Sequence, residues 1–311
     1  MNKQKIMGFA ALSFTIIIWG ITFLATETLL ADFKPIEIMF FRFGLSLIAL
    51  FLVYPKIFKW QGWKIELLCF LASLFGMSIY QTLENYAIEM ANGSMVSIII
   101  ATASFFTVIF SRIILKEKNI KWNFYVGLVI GIVGISLVIL NGNALSIEPL
   151  GDFIALLCSV LWGLYSVFVE LINRYKLNLL QTTRRITMYG FLILIPMFFI
   201  SGCKFDFARF ARVDNVVWTL YLGILASAVC FYTWNYSVNK LGPVPTSIAI
   251  LIQPIVTVVV GVIWFGHKFT WIGIVGLLVT IVGLYVALFL SPKKQLITND
   301  IIDGKEIEAE Q

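Results

Sequence analysis

The apolar residues of this chain fall into ten long blocks separated by short polar links. The blocks cover residues 7–29, 36–53, 65–84, 94–115, 122–140, 152–171, 182–200, 215–237, 244–264 and 270–290. Each has about 18–23 residues, the length of helix that crosses a bilayer core of about 30 Å. Backbone groups in lipid must be hydrogen-bonded within the protein, and continuous blocks of this length do so as helices. The pattern predicts an all-α polytopic membrane protein with ten transmembrane helices.

The second half of the chain repeats the first. Trp19-Gly20 is followed by Glu27, and Trp162-Gly163 is followed at the same distance by Glu170, a shift of 143 residues. Asn85-Tyr86 recurs as Asn235-Tyr236 at a shift of 150. A duplication of this length defines two halves rather than a solenoid. We therefore predict a first repeat at 1–143, a second at 144–290 and a cytoplasmic polar tail at 291–311.

The number of helices in each repeat fixes how the two repeats are oriented. Five is odd, so the second repeat begins on the opposite membrane face from the first. The sequence thus predicts two inverted five-helix repeats. Inverted repeats are typical of secondary transporters, whose substrate site lies near the bilayer midplane where the repeats meet.

Composition excludes an ordinary soluble domain. The chain is 60% hydrophobic and 13% charged, with a mean hydropathy of +0.93, whereas soluble domains are about 25% charged. With the N-terminus inside, fifteen Lys and Arg residues of the links lie on the cytoplasmic side and five outside. The positive-inside rule then places both termini in the cytoplasm of a multi-pass cell-membrane protein. The net charge of +6 reflects this topology rather than nucleic-acid binding.

The sequence offers no enzyme chemistry. Four cysteines and the single His267 show no metal-ligand spacing, and no nucleotide-binding P-loop is present. No catalytic set, metal or cofactor is expected. The expected partners are a small-molecule substrate and the lipid bilayer, and because one chain supplies both halves, a monomer would suffice.

Several of these features resemble one family. The Trp-Gly pair in the first helix of each half, the Asn-Tyr pair near the end of the third, and Leu115-Lys116-Glu117-Lys118 after the fourth resemble the drug/metabolite transporter superfamily, EamA-like type. The resemblance covers about residues 7–290. It implies a ten-helix carrier that exports amino acids or other small metabolites through a central cavity. The family usually has an acidic residue after the fourth helix of each half; Glu117 fits the first, but His267 stands at the second.

Aromatic and polar side chains share faces of several predicted helices, as Trp19 and Phe23 do at a spacing of four. We interpret these faces as the wall of a substrate cavity. Packing between helices and an aromatic belt at the membrane surface are the alternatives. The candidate cavity residues are Trp19, Phe23, Tyr80, Gln81, Ser97, Trp162, Ser166, Tyr232, Trp234 and Gln253.

Glu27 and Glu170 are ionisable groups inside predicted spans, which is a functional hypothesis by default. Arg42 and Arg185 fall at similar depths on the following helices. We predict the charge pairs Glu27–Arg42 and Glu170–Arg185, which open or titrate as the carrier cycles. A fixed salt bridge, or carboxylates that reach the membrane surface, would also explain them.

The sequence thus favours a secondary transporter of small metabolites, most of all amino acids or related compounds in the export direction, working by alternating access. Multidrug efflux, with or without proton coupling, is the alternative. Proton coupling through Glu27 or Glu170 and simple facilitated exchange both fit the sequence. A channel is disfavoured because two halves do not form a ring.

The predicted topology can be tested by labelling. Reporter fusions or single cysteines placed at each end of the chain should respond only to reagents that enter the cytoplasm. Ends found on opposite sides of the membrane would contradict the predicted total of ten helices, because an even number of spans returns the chain to the side on which it began.

Overall fold

The structure is a computed structural model that describes residues 3–56, 59–91, 93–117, 122–139, 148–265 and 270–289. Ten helices form the bundle, numbered α1–α10 in chain order. Two of them, α4 and α9, consist of two parts. The helices are α1 Lys3–Leu30, α2 Pro35–Val53, α3 Trp63–Met90, α4 Gly93–Ala101 with Ala103–Ile114, α5 Trp122–Ile139, α6 Pro149–Asn173, α7 Leu179–Ile200, α8 Val213–Leu241, α9 Pro243–Ile248 with Gln253–Phe265, and α10 Trp271–Phe289.

Length and apolarity suit these helices to a membrane. Eight of the described helices are long and apolar enough to cross it, and shorter apolar helices at Trp122–Gly134 and Trp271–Ala287 belong to α5 and α10. Large apolar side chains such as Leu52, Ile113 and Ile263 remain exposed on the outside of the bundle. An apolar outer surface is what lipid requires. The prediction of an all-α polytopic fold is confirmed.

Close contacts between α5 and α10 show that the repeats are inverted. A Cβ atom added to Gly127 would lie 2.5 Å from the carbonyl oxygen of Gly283, and one added to Gly134 would lie 2.8 Å from that of Gly276. As the residue number rises by seven on α5, that of its partner on α10 falls by seven. The two helices are therefore antiparallel, although they are the fifth helix of each repeat. Glycine permits this close approach of backbones.

Helices of one repeat pack against helices of the other, and equivalent contacts are related by a pseudo-twofold axis. Helix α1 packs against α8 and α9, while α6, its counterpart, packs against α3 and α4. Helix α2 packs against α7, and α5 against α10. Trp19 and Trp162, the equivalent residues of α1 and α6, contact each other with ring centroids 5.2 Å apart. The axis therefore passes close to these two indoles. The fold of ten helices in two inverted repeats is as predicted.

Equivalent helices are irregular at equivalent depths. Helix α3 contains a π-helical segment at Leu74–Ser78, and α8 contains one at Tyr221–Val229. Helix α4 is interrupted at Thr102, and α9 passes through a 3-10 segment at Ala249–Ile252. Wide π turns are rare and are frequently found at functional sites. All four irregular segments lie inside their helices, away from the helix ends.

Helices α3 and α8 are longer than the sequence blocks predicted. The predicted ends at residues 84 and 237 are wrong, since the helices continue to Met90 and Leu241. Hydropathy falls at Gln81, Glu84 and Asn85, but these side chains are buried and face protein instead of ending the span. Polar residues at a helix interface were thus misread as a helix end.

One end of the bundle is closed by ion pairs. The turn between α1 and α2 contributes Asp32, the first turn of α2 contributes Glu37, and the segment before α8 contributes Arg209 and Arg212. Arg209 lies 2.7 Å from the carboxylate of Glu37, and Arg212 lies 2.7 Å from that of Asp32. Glu37 also accepts a hydrogen bond from the backbone N–H of Lys34 and caps α2. The first repeat is thereby joined to the second at this surface.

His267 and the tail 291–311 lie outside the described residues.

The glycine contacts give a stability prediction. Gly283→Val should lower the free energy of unfolding by about 1–3 kcal/mol, because its Cβ would lie 2.4 Å from the backbone nitrogen of Gly131. Thermal unfolding of purified protein in detergent measures this. Gly44→Ala is the control, since its Cβ would meet only the Phe191 ring at 3.3 Å. Equal melting temperatures of the two variants would argue against tight α5–α10 packing.

Candidate substrate-binding cavity

A cavity of about 330 Å³, including its mouth, lies between the two repeats. The space inside it that a water-sized sphere can occupy is about 20 Å³, room for about one water molecule, so binding of a larger ligand requires the surrounding side chains or helices to move. Relative to the tryptophan pair, the cavity is displaced toward the C-terminal ends of α1 and α3. Its lining residues come from both repeats: Trp19, Thr22, Phe23, Arg42, Tyr80, Gln81, Glu84, Ile100, Trp162, Ile250 and Gln253.

The two central tryptophans differ in their hydrogen bonding. The indole N–H of Trp19 donates to the carbonyl oxygen of Ala226, at 2.8 Å, in the wide turn of α8. The N–H of Trp162 is buried and has no hydrogen-bond partner among the described residues. A buried donor without an acceptor is costly, about 1–3 kcal/mol. Trp162, which lines the cavity, therefore carries a donor without an acceptor among the described residues, as does Trp234 nearby.

Arg42 is buried in the interior of the bundle and is held by two neutral partners. Its Nε donates to Ser227 Oγ at 2.6 Å, and its Nη1 donates to Gln81 Oε1 at 2.7 Å. These contacts link α2 to α8 and α3. They orient the guanidinium group. Among the described residues, no carboxylate forms an ion pair with Arg42.

Glu84 supplies the opposite charge on the same cavity. It lies one turn after Tyr80 on α3, and its Oε1 accepts a hydrogen bond of 2.9 Å from the Tyr80 hydroxyl. Its side chain is 7% exposed. Within the described chain it forms no ion pair either. The cavity thus contains a cation and an anion that are both fixed but not in contact with each other.

The structure brings together six of the ten residues proposed for the cavity. Trp19, Phe23 and Trp162 form its aromatic part, and Tyr80, Gln81 and Gln253 form its polar part. The other four are not among the lining residues that the structure gives. Ser166 is buried and donates to the Trp162 carbonyl, whereas Tyr232 is half-buried; the remaining two are Ser97 and Trp234.

Trp234 lies on the opposite side of the tryptophan pair, in a packed aromatic cluster. Its ring centroid is 5.2 Å from that of Trp19 and 5.3 Å from that of Trp162. Tyr165 and Phe231 complete the cluster, and all three side chains are at most 1% exposed. Beyond them, the Tyr165 hydroxyl donates to Asn235 Oδ1 at 2.8 Å. The cavity is therefore closed on this side, which we call the aromatic plug (Tyr165, Phe231 and Trp234).

The predicted charge pairs differ from those in the structure. Arg42 contacts Ser227 and Gln81, while Glu27 is exposed. The partner of Arg185 is Glu66 of α3, with N and O 3.3 Å apart. Sequence spacing fixes the depth of each group but not the helix rotation, and both arginines are rotated away from the predicted glutamates. The predictions of Glu27–Arg42 and Glu170–Arg185 pairs are wrong.

Glu170 lies instead near the end of α6, where its carboxylate is 3.8 Å from the Arg174 guanidinium. Glu117, the acidic residue after α4, is close to the same arginine. Burial raises the pKa of the Glu117 carboxyl, and the charge of Arg174 opposes this rise. This group is at the end of the bundle and is separate from the cavity.

The sequence analysis did not propose Thr22, Glu84, Ile100 or Ile250 as lining residues. A signal for two of them was present. Thr22 follows Trp19 by three positions, and Glu84 follows Tyr80 by four, so each shares a helix face with a proposed residue that lines the cavity. The two isoleucines gave no such signal, because apolar residues are expected everywhere on these helices.

Comparison with known proteins agrees with this architecture. The EamA-like transporter family matches the chain twice, at residues 6–140 and 149–289. The chain belongs to the EamA-like transporter family. The resemblance inferred from Trp-Gly, Asn-Tyr and the order of the helices is confirmed.

Relatives of this EamA-like protein are named as transporters. An "Uncharacterized transporter" of Archaeoglobus fulgidus is 24% identical over 278 residues, which are 88% of this chain and 96% of the relative. The "Uncharacterized inner membrane transporter YedA" of Escherichia coli K12 is 24% identical over 97% of this chain and 98% of its own length. A "Probable terminal-alkyne amino-acid exporter" of Streptantibioticus cattleyicolor is 27% identical over 67% of this chain and 68% of its own length.

A solved crystal structure has the same fold. It superposes on this EamA-like chain with a TM-score of 0.75 and 17% identity, covering 93% of this chain and 98% of its own. At this identity the likeness concerns the fold alone. The chain is thus a multi-pass membrane protein of a transporter family, with the ten-helix architecture of that family.

The closed side of the cavity gives a second stability prediction. Tyr165→Phe should lower the free energy of unfolding by about 1–3 kcal/mol, because Asn235 Oδ1 loses its buried donor. Thermal unfolding in detergent checks this. The control is Tyr125→Phe, whose hydroxyl has no hydrogen bond in the described part of the chain. A Tyr165→Phe protein as stable as the control would contradict the proposed role of this bond.

Proposed function

We propose that this protein is a secondary carrier that moves small metabolites, chiefly amino acids or related compounds, across the cell membrane in the export direction. One observation carries the proposal: the cavity between the inverted repeats presents fixed charges of both signs beside an aromatic wall. Amino acids offer both charges and an apolar side chain in one small molecule. The name of the Streptantibioticus relative, an amino-acid exporter, supports the same class.

The mechanism we propose is alternating access around the tryptophan pair. In the present conformation the cavity lies on one side of Trp19 and Trp162, and the aromatic plug fills the other. Inverted repeats can exchange these two arrangements by rocking, which closes the cavity on one side and opens it on the other. With both chain ends in the cytoplasm, as the loop charges predict, the cavity would face outward and the plug inward.

Efflux of cationic drugs is the second candidate, and one observation favours it. Glu84 is a buried carboxylate among Trp19, Tyr80 and Trp162, which is an environment suited to an organic cation. Arg42 in the same cavity opposes this function, because it repels a ligand that carries only positive charge. We therefore place multidrug efflux second.

Proton coupling would require a carboxylate that both the substrate and a proton can reach. Glu84 fulfils this requirement better than the two glutamates singled out by the sequence. Glu27 is exposed and does not line the cavity, and Glu170 lies near the end of α6 beside Arg174. If transport is driven by protons, we propose Glu84 as the coupling group in place of Glu27 and Glu170.

Transport in proteoliposomes tests the function. Vesicles containing the wild-type protein should exchange radiolabelled amino acids from a standard panel, at rates compared with and without a pH gradient. Trp162→Ala should reduce transport by about tenfold or more, because it removes a wall of the cavity and its free N–H. Trp122→Ala is the matched control, since Trp122 is 76% exposed at the start of α5.

The panel also separates the alternatives. Uptake of cationic dyes in place of amino acids would favour drug efflux. Wild-type vesicles that remain inert toward every compound would overturn the carrier proposal.

A further inference from the structure

Two charged side chains line the cavity among the residues that the structure describes, Arg42 and Glu84. Both belong to the first repeat, on α2 and α3. Each lies in the electrostatic field of the other, but no ion pair among the described residues brings them into contact. Removing a charge from water without giving it a countercharge is expensive, and such pairs in a membrane interior usually mark function. The arrangement needs an explanation beyond packing.

The hydrogen bonds of Arg42 leave one side of its guanidinium group available. Nε is taken by Ser227 and Nη1 by Gln81, while Nη2 makes no hydrogen bond with the described residues. A planar guanidinium fixed in this way is the preferred partner of a carboxylate. Since Arg42 lines the cavity, a bound carboxylate could meet this group without displacing either existing partner.

Only one of the two carboxylate oxygens of Glu84 accepts a hydrogen bond from the described residues. Its Oε1 accepts from Tyr80, while its second oxygen makes no hydrogen bond with the described residues. Tyr80 in turn packs against Trp162, with ring centroids 4.9 Å apart. The carboxylate is therefore fixed at the edge of the aromatic wall. An ammonium group beside it would gain both a countercharge and an aromatic face.

The second repeat does not reproduce this pair. The residue equivalent to Glu84 is Trp234, which belongs to the aromatic plug, and the residue equivalent to Arg42 is Arg185, which is paired with Glu66. The Trp162 N–H also lacks an acceptor among the described residues. The cavity is thus lined by the two charged side chains, each with an atom that makes no hydrogen bond to the described residues, and by Trp162.

We propose that Arg42 and Glu84 select dipolar substrates: Arg42 binds the carboxylate and Glu84 binds the ammonium group of a zwitterionic amino acid. The substrate's apolar side chain then lies against Trp19 and Trp162, and the Trp162 N–H donates to the second carboxylate oxygen. Molecules that carry only one of the two charges are rejected, because they leave the other protein charge buried and unpaired. This inference rests on the proposed function and specifies the substrate class of that site.

Binding to the purified full-length protein in detergent, measured by isothermal titration calorimetry, tests the inference separately from transport. Two sets of probes are used: L-leucine with 3-methylbutylamine and 4-methylpentanoate, and L-phenylalanine with 2-phenylethylamine and 3-phenylpropionate. In each set the first compound has both charges, the second only the ammonium group and the third only the carboxylate. We expect wild-type protein to bind at least one amino acid about tenfold or more tightly than its two analogues.

Charge removal should then invert the preference. Glu84→Gln should bind the carboxylate analogue more tightly than the amino acid, and Arg42→Gln should bind the amine more tightly. Arg42 also links three helices, so Arg42→Lys is included as a variant that keeps the positive charge; it should retain the preference for the amino acid at reduced affinity. A purely structural role of either residue would weaken all probes equally.

Glu66→Gln and Arg185→Gln are the matched controls. Glu66 is a buried carboxylate on the same helix as Glu84, Arg185 is the counterpart of Arg42, and neither lines the cavity. Both control variants should keep the wild-type order of probes. Equal binding of an amino acid and its analogues, no binding of either amino acid, or an unchanged order in Glu84→Gln would overturn the inference. Zwitterion-selective binding without transport would instead contradict the carrier function and leave the inference standing.

Discussion

The contact between Trp19 and Trp162 on the pseudo-twofold axis is the constraint around which the bundle is arranged. These residues occupy equivalent positions in α1 and α6, and their rings meet nearly perpendicular to each other, at an interplanar angle of 84°. An edge-to-face contact cannot be symmetric, because one ring presents its edge and the other its face. The symmetry of the fold is therefore broken at its centre. Each side of the pair then has a different environment.

The sequence has diverged in accordance with this asymmetry. On one side, α3 supplies Tyr80, Gln81 and Glu84, which form a polar cavity. On the other, the equivalent positions of α8 are Cys230, Phe231 and Trp234, which pack into a dry core. Among the described residues, the second repeat contributes Trp162, Ile250 and Gln253 to the cavity lining, whereas both charged lining residues come from the first repeat.

The fold could be read from the sequence because its main signals are local or periodic. The length of each apolar block gives a helix, and the recurrence of Trp19-Gly20 at Trp162-Gly163 gives the duplication and its parity. Part of the cavity could also be predicted, since Trp19 and Phe23 share a helix face. The side-chain contacts between the two repeats could not be predicted from the sequence. Arg42 contacts Ser227, 185 residues later, and this contact depends on helix rotation and on the wide turn of α8, which no short-range pattern encodes.

The π-helical segment of α3 has a consequence for how the two ends of that helix can behave. It lies between Glu66, which is joined to Arg185 and Tyr189, and Glu84 in the cavity. A wide turn interrupts the regular hydrogen-bond ladder and lets the flanking segments tilt relative to each other. The N-terminal part, joined to α7 through Glu66 and Arg185, and the C-terminal part, which carries Tyr80 and Glu84, therefore need not share one straight axis.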